Sequence, residues 1–396
     1  MQNASEHVVE SQSGLTACVD HLATCEVIGF DTEFIGEQTY HPRLCLVQVA
    51  TPERLFLLDP LRLDNLDPFW ELISDPARVS VVHAGREEVR MCRLFSGRPP
   101  GNVFDLQVAA GLLGVGYPAS HASLVHHFLR VRLSKGETLT DWSRRPLTRQ
   151  QIRYAYDDVR YLHPLYAKIR RKLNELGRLA WCDEEHSGLI RKWLAEDPDR
   201  EPWRKLRGLG GLDARQLAVV REVYDWRTSR AEKVNRPARF MLRDDLIIEL
   251  ARRTPESEKD LSVVRGIGRN DVPGILTAIQ KALATPDNEL PQPEGRDHDP
   301  PQVALIAGLL QSALATFCGD NRLTPALVAT ASDIRALIRS RIQGAALPDD
   351  CPLTTGWRSE FVLPTLLDVL EGRRALRVAD LNRPLPLEIL SSGAGK

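Results

Sequence analysis

Phe30-Asp31-Thr32-Glu33-Phe34 places two carboxylates two residues apart at the end of the apolar run Val27-Ile28-Gly29-Phe30. In a β-strand, residues at i and i+2 face the same side, so Asp31 and Glu33 converge on one spot near the edge of a sheet. Carboxylates held that close repel unless a cation lies between them, and hard divalent cations with oxygen ligands suit the place. Taken alone, the pair also fits acids in a solvated turn after a strand. A second set, Tyr154-x-x-x-Asp158, puts a phenol and a carboxylate one helical turn apart on one face. From there both can reach one phosphate, although the spacing equally describes a tyrosine covering a helix beside an exposed acid. The third, His83-Ala84-Gly85-Arg86-Glu87-Glu88, reads as a strand entering a helix with acids in the first turn. The helix dipole favours acids there whatever the function.

The elements that must position these groups alternate between strand and helix in the N-terminal part of the chain. Val27 to Phe30, Leu44 to Val49, Leu55 to Leu58 and Val79 to Val82 read as strands. Helical periodicity covers Leu66 to Ile73 before the fourth strand, then Glu87 to Phe95, Leu106 to Leu113 and Ser123 to Leu129 after it. This is an α/β layer domain with a mixed sheet whose early hairpin strands are antiparallel. A helix opens at Thr148, where Thr148-x-x-Gln151 is a capping-box pattern, and continues through Tyr154, Asp158 and Leu162, with Pro164 set to kink or divide it. Beyond residue 200 strand signals vanish and amphipathic helices take over. A proline-rich, acidic stretch, 286–301, reads as an exposed linker between helical modules at 203–285 and 302–390, and the Ser/Gly-rich tail Ser391 to Lys396 reads as frayed.

The chain has 396 residues, which predicts two or three domains. Its composition, 43% hydrophobic and 27% charged, is that of a soluble globular protein. No apolar run approaches the roughly 20 residues that span a bilayer, and Met1 to Glu10 does not read as a secretory signal, so the expected location is the cytoplasm and no membrane partner is expected. Seven scattered cysteines without a C-x-x-C pair argue against disulfides and zinc, and read as small hydrophobes in a reducing compartment. The net charge is only −1, but residues 201–285 hold 17 Lys and Arg against 12 Asp and Glu. That excess is a weak pointer to a phosphate-bearing partner.

Taken together, the motifs resemble the exonuclease signature of the DEDD superfamily, and the chain as a whole is similar to the bacterial ribonuclease D family. The series is dense and ordered: Asp31-Thr32-Glu33-Phe34, Thr39-Tyr40-x-Pro42, Leu46-Val47-Gln48, Leu58-Asp59-Pro60-Leu61, His83-Ala84-Gly85, Asp105-x-Gln107, Asp141-Trp142-x-x-Arg145-Pro146-Leu147 and Tyr154-Ala155-x-x-Asp158-Val159-x-Tyr161-Leu162. The segment 203–285 resembles the HRDC domain through Leu217 to Trp226, Arg236-Pro237-x-Arg239-Phe240, Asp245-Leu246-Ile247 and Arg265-Gly266-Ile267-Gly268-Arg269. Gly356-Trp357-Arg358-x-Glu360 resembles a short pattern near the end of ribonuclease D and extends the likeness to 302–390 as a second HRDC-like module.

The resemblance implies an RNase H-like α/β exonuclease domain over 1–200, a mixed sheet flanked by helices, followed by two all-α HRDC-like modules. It implies a DEDDy 3′→5′ exoribonuclease that releases nucleoside 5′-monophosphates using two divalent ions, Mg²⁺ or Mn²⁺, about 3.5 to 4 Å apart. Asp31 then bridges both ions, Glu33 and Asp158 complete the site of the ion that activates the nucleophile, and Tyr154 orients the attacking water. At the third acidic position the family has aspartate where this chain has Glu88, the acid reached by aligning His83-Ala84-Gly85. The added methylene must be absorbed by a looser, water-bridged contact, and it puts metal preference in doubt, with Mn²⁺ the more tolerant ion. Glu87 lies about 100° away around the helix. Arg265 and Arg269 are candidate phosphate contacts, although a plain helix-connecting turn explains them equally. The expected partner is RNA with a free 3′ end, with transfer-RNA precursors as the implied class, acted on by a monomer. Two alternatives stand beside this: a single-strand DNA exonuclease on the same fold, and a nucleic-acid-binding protein whose nuclease site is weakened at Glu88.

Overall fold

The computed structural model describes residues 4–36, 39–133, 140–194, 201–293 and 299–391, apart from the side chain of Ser262. Six strands, β1 (Ser5–Val9), β2 (Val27–Ile35), β3 (Arg43–Ala50), β4 (Arg54–Leu58), β5 (Val79–Val82) and β6 (Val103–Asp105), form one sheet in the order β1-β4-β3-β2-β5-β6. The β2-β3-β4 meander is antiparallel, and the pairs β1-β4, β2-β5 and β5-β6 are parallel. The sheet is therefore mixed, as its patterning predicts. Leu44 through Ala50 of β3 is buried throughout because helices cover both faces, which removes the alternation a half-exposed strand would show.

On one face Leu15, Leu22, Phe30, Phe69, Trp70, Val89 and Cys92 share a core beneath the helices Gln12–Ala23, Asp67–Ile73 and Arg86–Ser96. On the other lie Arg149–Arg160 and Leu162–Glu175. The first of these opens with the expected capping box: Gln151 N–H donates to Thr148 Oγ1 at 3.1 Å, and Thr148 N–H to Gln151 Oε1 at 2.9 Å. The helix divides at Tyr161 rather than at Pro164, which falls in the first turn of the second helix, where a missing N–H costs nothing. Six of the cysteines are buried and Cys25 is half-buried, all as free thiols.

The segment beyond 200 holds two different arrangements. Around Trp203, Leu217, Val220, Ile247, Leu250, Ile275 and Ile279 a compact helical module builds its own core from Ala214–Lys233, Asp244–Arg253 and Val272–Leu283. The first half of the expected linker is not free: Arg215 donates to Asp287 at 2.5 Å and Arg204 to the Gln292 carbonyl at 3.2 Å, and Pro291 is buried. Residues 294–298 of that stretch lie outside the described residues.

The C-terminal segment departs from the all-α expectation, because after its helices it ends in a hairpin, β7 (Arg374–Val378) with β8 (Leu387–Ser391). Nor does it close a separate core. Val303, Leu310, Leu337 and Trp357 belong to the same cluster as Leu112, Val159 and Leu173 of the N-terminal domain. Amphipathic periodicity tells which helix face is buried but not what it meets. The helix Pro301–Asp320 also corrects the expectation that no apolar run is long enough for a bilayer, since by length and composition it is. Its Val303, Ala307, Leu310, Ala313 and Leu314 are core residues here.

Candidate active site

β2 pairs with β5 only from Val27 to Gly29, whereas it pairs with β3 to its end. From Phe30 onward one edge of β2 is thus open at the C-terminal end of β5, and Asp31 and Glu33 lie there. The opening is filled by the turn His83–Gly85 and the helix it starts. Ala84 takes a left-handed φ of 55°, and a Cβ on Gly85 would come within 2.2 Å of Val82 Cγ2, so the turn requires glycine there. The buried Asp105 carboxylate holds this turn by accepting from Ala84 N–H at 3.1 Å, Gly85 N–H at 2.9 Å and Gln107 N–H at 2.8 Å. Sequence reasoning treated Asp105 only as part of a motif; an acid capping two N–H groups upstream of a helix is visible only once the chain is folded.

Glu88 points inward, at 5% exposure, and its Oε1 accepts from Thr32 Oγ1 at 2.9 Å. Glu87 faces outward and pairs with Arg90 at 3.2 Å. Tyr154 and Asp158 arrive from the opposite face on Arg149–Arg160. That helix is anchored by Arg145, which forks onto Asp59 at 2.6 and 2.8 Å and donates to the Cys45 and Trp142 carbonyls, both at 2.7 Å. The Trp142 ring stands 6.1 Å from that of Tyr154. A segment with little regular structure is thereby pinned to β3 and to the end of β4.

Burial pushes all four acids upward, and the charge of neighbouring acids adds to it at Glu33, Glu88 and Asp158. Glu33 is raised to about 8 by burial and then by Asp31, and Asp158 to about 9 by burial, Asp31, Glu33 and Asp157. Glu88 stands well above the carboxylate range through burial and the charge of Asp31, with which it shares a hydrogen bond. Asp31 is raised by burial despite the N–H of Thr32, 2.9 Å from its Oδ1. Burial and then Asp158 raise the Tyr154 phenol, which hydrogen-bonds Asp158. Among the described residues no three of these groups close around one point as a ready cage. Instead Glu88 pairs with Asp31, and Asp158 with Tyr154.

Two observations show that these residues fit a divalent cation. Asp158 Oδ2 is buried without a hydrogen-bond partner, an expensive state for a carboxylate oxygen, and the converging donors are all hard oxygens. Gln48 adds to this. It stands directly opposite Asp31 on the β2-β3 ladder, fully buried, with neither amide atom bonded among the described residues. Cross-strand partners share a face, so this amide lies beside the acids. Its type and motif were legible, its orphaned state was not.

Arg265 and Arg269 fall elsewhere, exposed on a turn of the helical module where Gly266 has φ +97°, and neither appears among the groups acting on the four acids.

The family model for 3′-5′ exonuclease domains matches residues 7–174, and that for the HRDC domain matches 216–279. Ribonuclease D of Acidiphilium cryptum is 35% identical over 93% of this chain and 94% of its own length. That of Gluconacetobacter diazotrophicus is 33% identical over 94% of both. The crystal structure of Escherichia coli RNase D, described as an exoribonuclease involved in structured RNA processing, superimposes with a TM-score of 0.81 at 27% identity, covering 94% of this chain and 99% of that one. Full-length likeness above 30% identity, an exonuclease domain and an HRDC domain in the same order lead to one conclusion: the chain belongs to the ribonuclease D family of 3′→5′ exoribonucleases.

Proposed function

We propose that this chain trims single nucleotides from the 3′ ends of RNA, transfer-RNA precursors among them, as a cytoplasmic monomer, with Asp31, Glu33, Glu88 and Asp158 as the ligands of two divalent ions and Tyr154 as the group that orients water. The observation that carries the reading is the set of four acids from β2 and two facing helices, linked through Asp31, with one oxygen of Asp158 left unbonded. Two ions, when bound, would activate the attacking water and offset the charge on the leaving 3′ oxygen. Asp31, which acts on Glu33, Glu88 and Asp158 alike, would be shared by both ions. The raised Tyr154 phenol keeps its proton at neutral pH, so it donates to Asp158 and can accept from water on its open side. Arg265 and Arg269, by their exposure and charge, are assigned a looser contact with phosphates farther along the strand.

Incubating the protein with a 3′-extended transfer-RNA precursor and a matched DNA, each with Mg²⁺ or Mn²⁺, tests the reading. Mononucleotide release from RNA supports it. Equal or greater release from DNA makes the protein a DNA exonuclease, and binding without release makes it a binding protein with a weakened site. Glu88→Asp sharpens the same assay. Shortening the side chain withdraws its carboxylate from Thr32 Oγ1, and we expect the ratio of Mg²⁺ to Mn²⁺ rates to rise by on the order of tenfold. An unchanged ratio would remove Glu88 from the metal site.

Metal removal has a signed effect on stability. Acids raised in the folded state bind protons that the unfolded chain has released, so their contribution is fully present below the ordinary carboxylate range. It is lost as pH climbs through about 8 for Glu33 and about 9 for Asp158. In EDTA the melting temperature should therefore fall between pH 6 and pH 9. Binding of a cation expels those protons, so the upward shift produced by Mn²⁺ should grow over the same interval. A shift independent of pH would show that the acids are already ionised without metal.

A further inference from the structure

Directly beyond Glu33 the β2-β3 register shifts, and the strand turns out through Phe34 toward Gly36. These two residues form one wall of an open cleft of about 660 Å³; the other wall is Arg227, Pro237, Ala238, Arg239 and Asp244 of the HRDC module. That volume lies in the range of pockets that accept nucleotide-sized groups. The two walls are latched at one end: Asn235, in a left-handed conformation with φ 47°, accepts at its Oδ1 the N–H groups of Tyr40 and His41, both at 3.1 Å. The cleft, whose wall begins one residue beyond Glu33, is therefore held in place by hydrogen bonds from the Tyr40 and His41 backbone to the Asn235 side chain.

Its charged lining is unequal. Arg227 is committed to Asp244 at 2.5 Å, whereas Arg239 is exposed and forms no ion pair among the described residues; Arg236, at the rim beside the lining residue Pro237, is likewise exposed and unpaired there. Arg239 lies over the ring of Phe240, 5.3 Å from its centroid, and Phe240 is 57% exposed in the short helix Ala238–Met241. An exposed phenyl ring flanked by unpaired guanidinium groups matches the two parts of a single-strand site: a face for a base to stack on, and cations for the backbone.

We propose that this cleft and its rim hold the nucleotides just upstream of the scissile phosphate, with Phe240 at the rim as the stacking platform, and Arg239 of the wall and Arg236 of the rim as the phosphate contacts. The proposal rests on the nuclease reading above, since only a strand whose 3′ end reaches Asp31 and Glu33 passes the cleft. The ligand class is single-stranded nucleic acid, recognised without sequence preference because every base has a face to stack. The site differs from the Arg265-to-Arg269 turn, and it gives the HRDC module a grip beside the chemistry as well as a distant one.

Hydrolysis of a ten-nucleotide RNA and of a dinucleotide, together with anisotropy of the labelled ten-mer in EDTA, tests it on the full-length protein. Phe240→Leu should raise the ratio of ten-mer KM to dinucleotide KM, and the ten-mer Kd in EDTA, by on the order of tenfold. Phe240→Trp should keep both near wild type. Arg239→Ala should lower the slope of log Kd against log salt by about 1. If Phe240→Leu and Arg239→Ala bind the ten-mer as wild type does, the cleft is not the site. Failure of wild type to cut either substrate would sink the nuclease reading instead, and the anisotropy series would still decide the cleft.

Discussion

Asp31→Asn is expected to slow nucleotide release from RNA 3′ ends on the order of a thousandfold or more, while leaving the ion-free melting temperature at or above that of wild type. Asp31 appears among the causes that raise Glu33, Glu88, Asp158 and Tyr154, so no other side chain in the site presses on as many neighbours. Its negative charge is what draws cations in, and it is also what strains the ion-free fold. Replacing it with a neutral amide of the same shape removes both, so activity and stability should move in opposite directions. Single-turnover release at saturating Mn²⁺ and a thermal melt in EDTA measure the two. Loss of activity together with a lower melting temperature would mean that Asp31 is mainly structural, and an unchanged rate would overturn the site assignment.

The second large effect is on folding. Glu185 and Arg358 are each 8% exposed and form a buried ion pair, in which a further Arg358 nitrogen lies 2.9 Å from Glu185 Oε2 and Trp357 Nε1 donates to Glu185 Oε1 at 2.7 Å. Arg358 also donates to the Val328 and Leu327 carbonyls, at 2.8 and 2.7 Å, while Trp357 stacks on Trp181 with centroids 4.8 Å apart. This network ties the C-terminal segment to the helix Leu179–Leu194. Glu185→Ala leaves the Arg358 cation buried without its counter-charge, and should cost about 3 to 5 kcal/mol in urea unfolding. Replacing both partners with apolar residues of similar volume, as in Glu185→Leu with Arg358→Met, should recover most of that loss, because no orphaned charge remains. A cost below about 1 kcal/mol for Glu185→Ala would show that water reaches the pair.

Much of the site was readable from local rules. Asp31 and Glu33 share a face because strand periodicity is two, and Tyr154 and Asp158 share one because helical residues four apart are neighbours. The capping box at Thr148 is a short-range device, and it forms as written. Charge and length alone did not separate Glu88 from Glu87; alignment on His83-Ala84-Gly85 did, and the observed burial of the first and partial exposure of the second agree with it. Other features needed the third dimension. Asp105 acts across twenty residues of chain on the turn before Glu88, Gln48 faces Asp31 only through the β2-β3 register, and the cleft between Phe34 and Arg239 depends on Asn235 meeting Tyr40 and His41.

The same division runs through the whole molecule. The amino-acid sequence by itself determined the mixed α/β layer, the helical character of the rest, the four acids and the tyrosine, and the family to which they belong. Each of these follows from periodicity, capping and motif order, which act over a few residues at a time. Tertiary structure alone decided that the segment beyond 302 shares a core with the N-terminal domain and ends in a hairpin, that Asp158 keeps an unbonded oxygen, and that a cationic, aromatic cleft lies beside the acids. These depend on which surfaces meet, and a hydrophobic or charged face carries no label for its partner until the chain has closed around it.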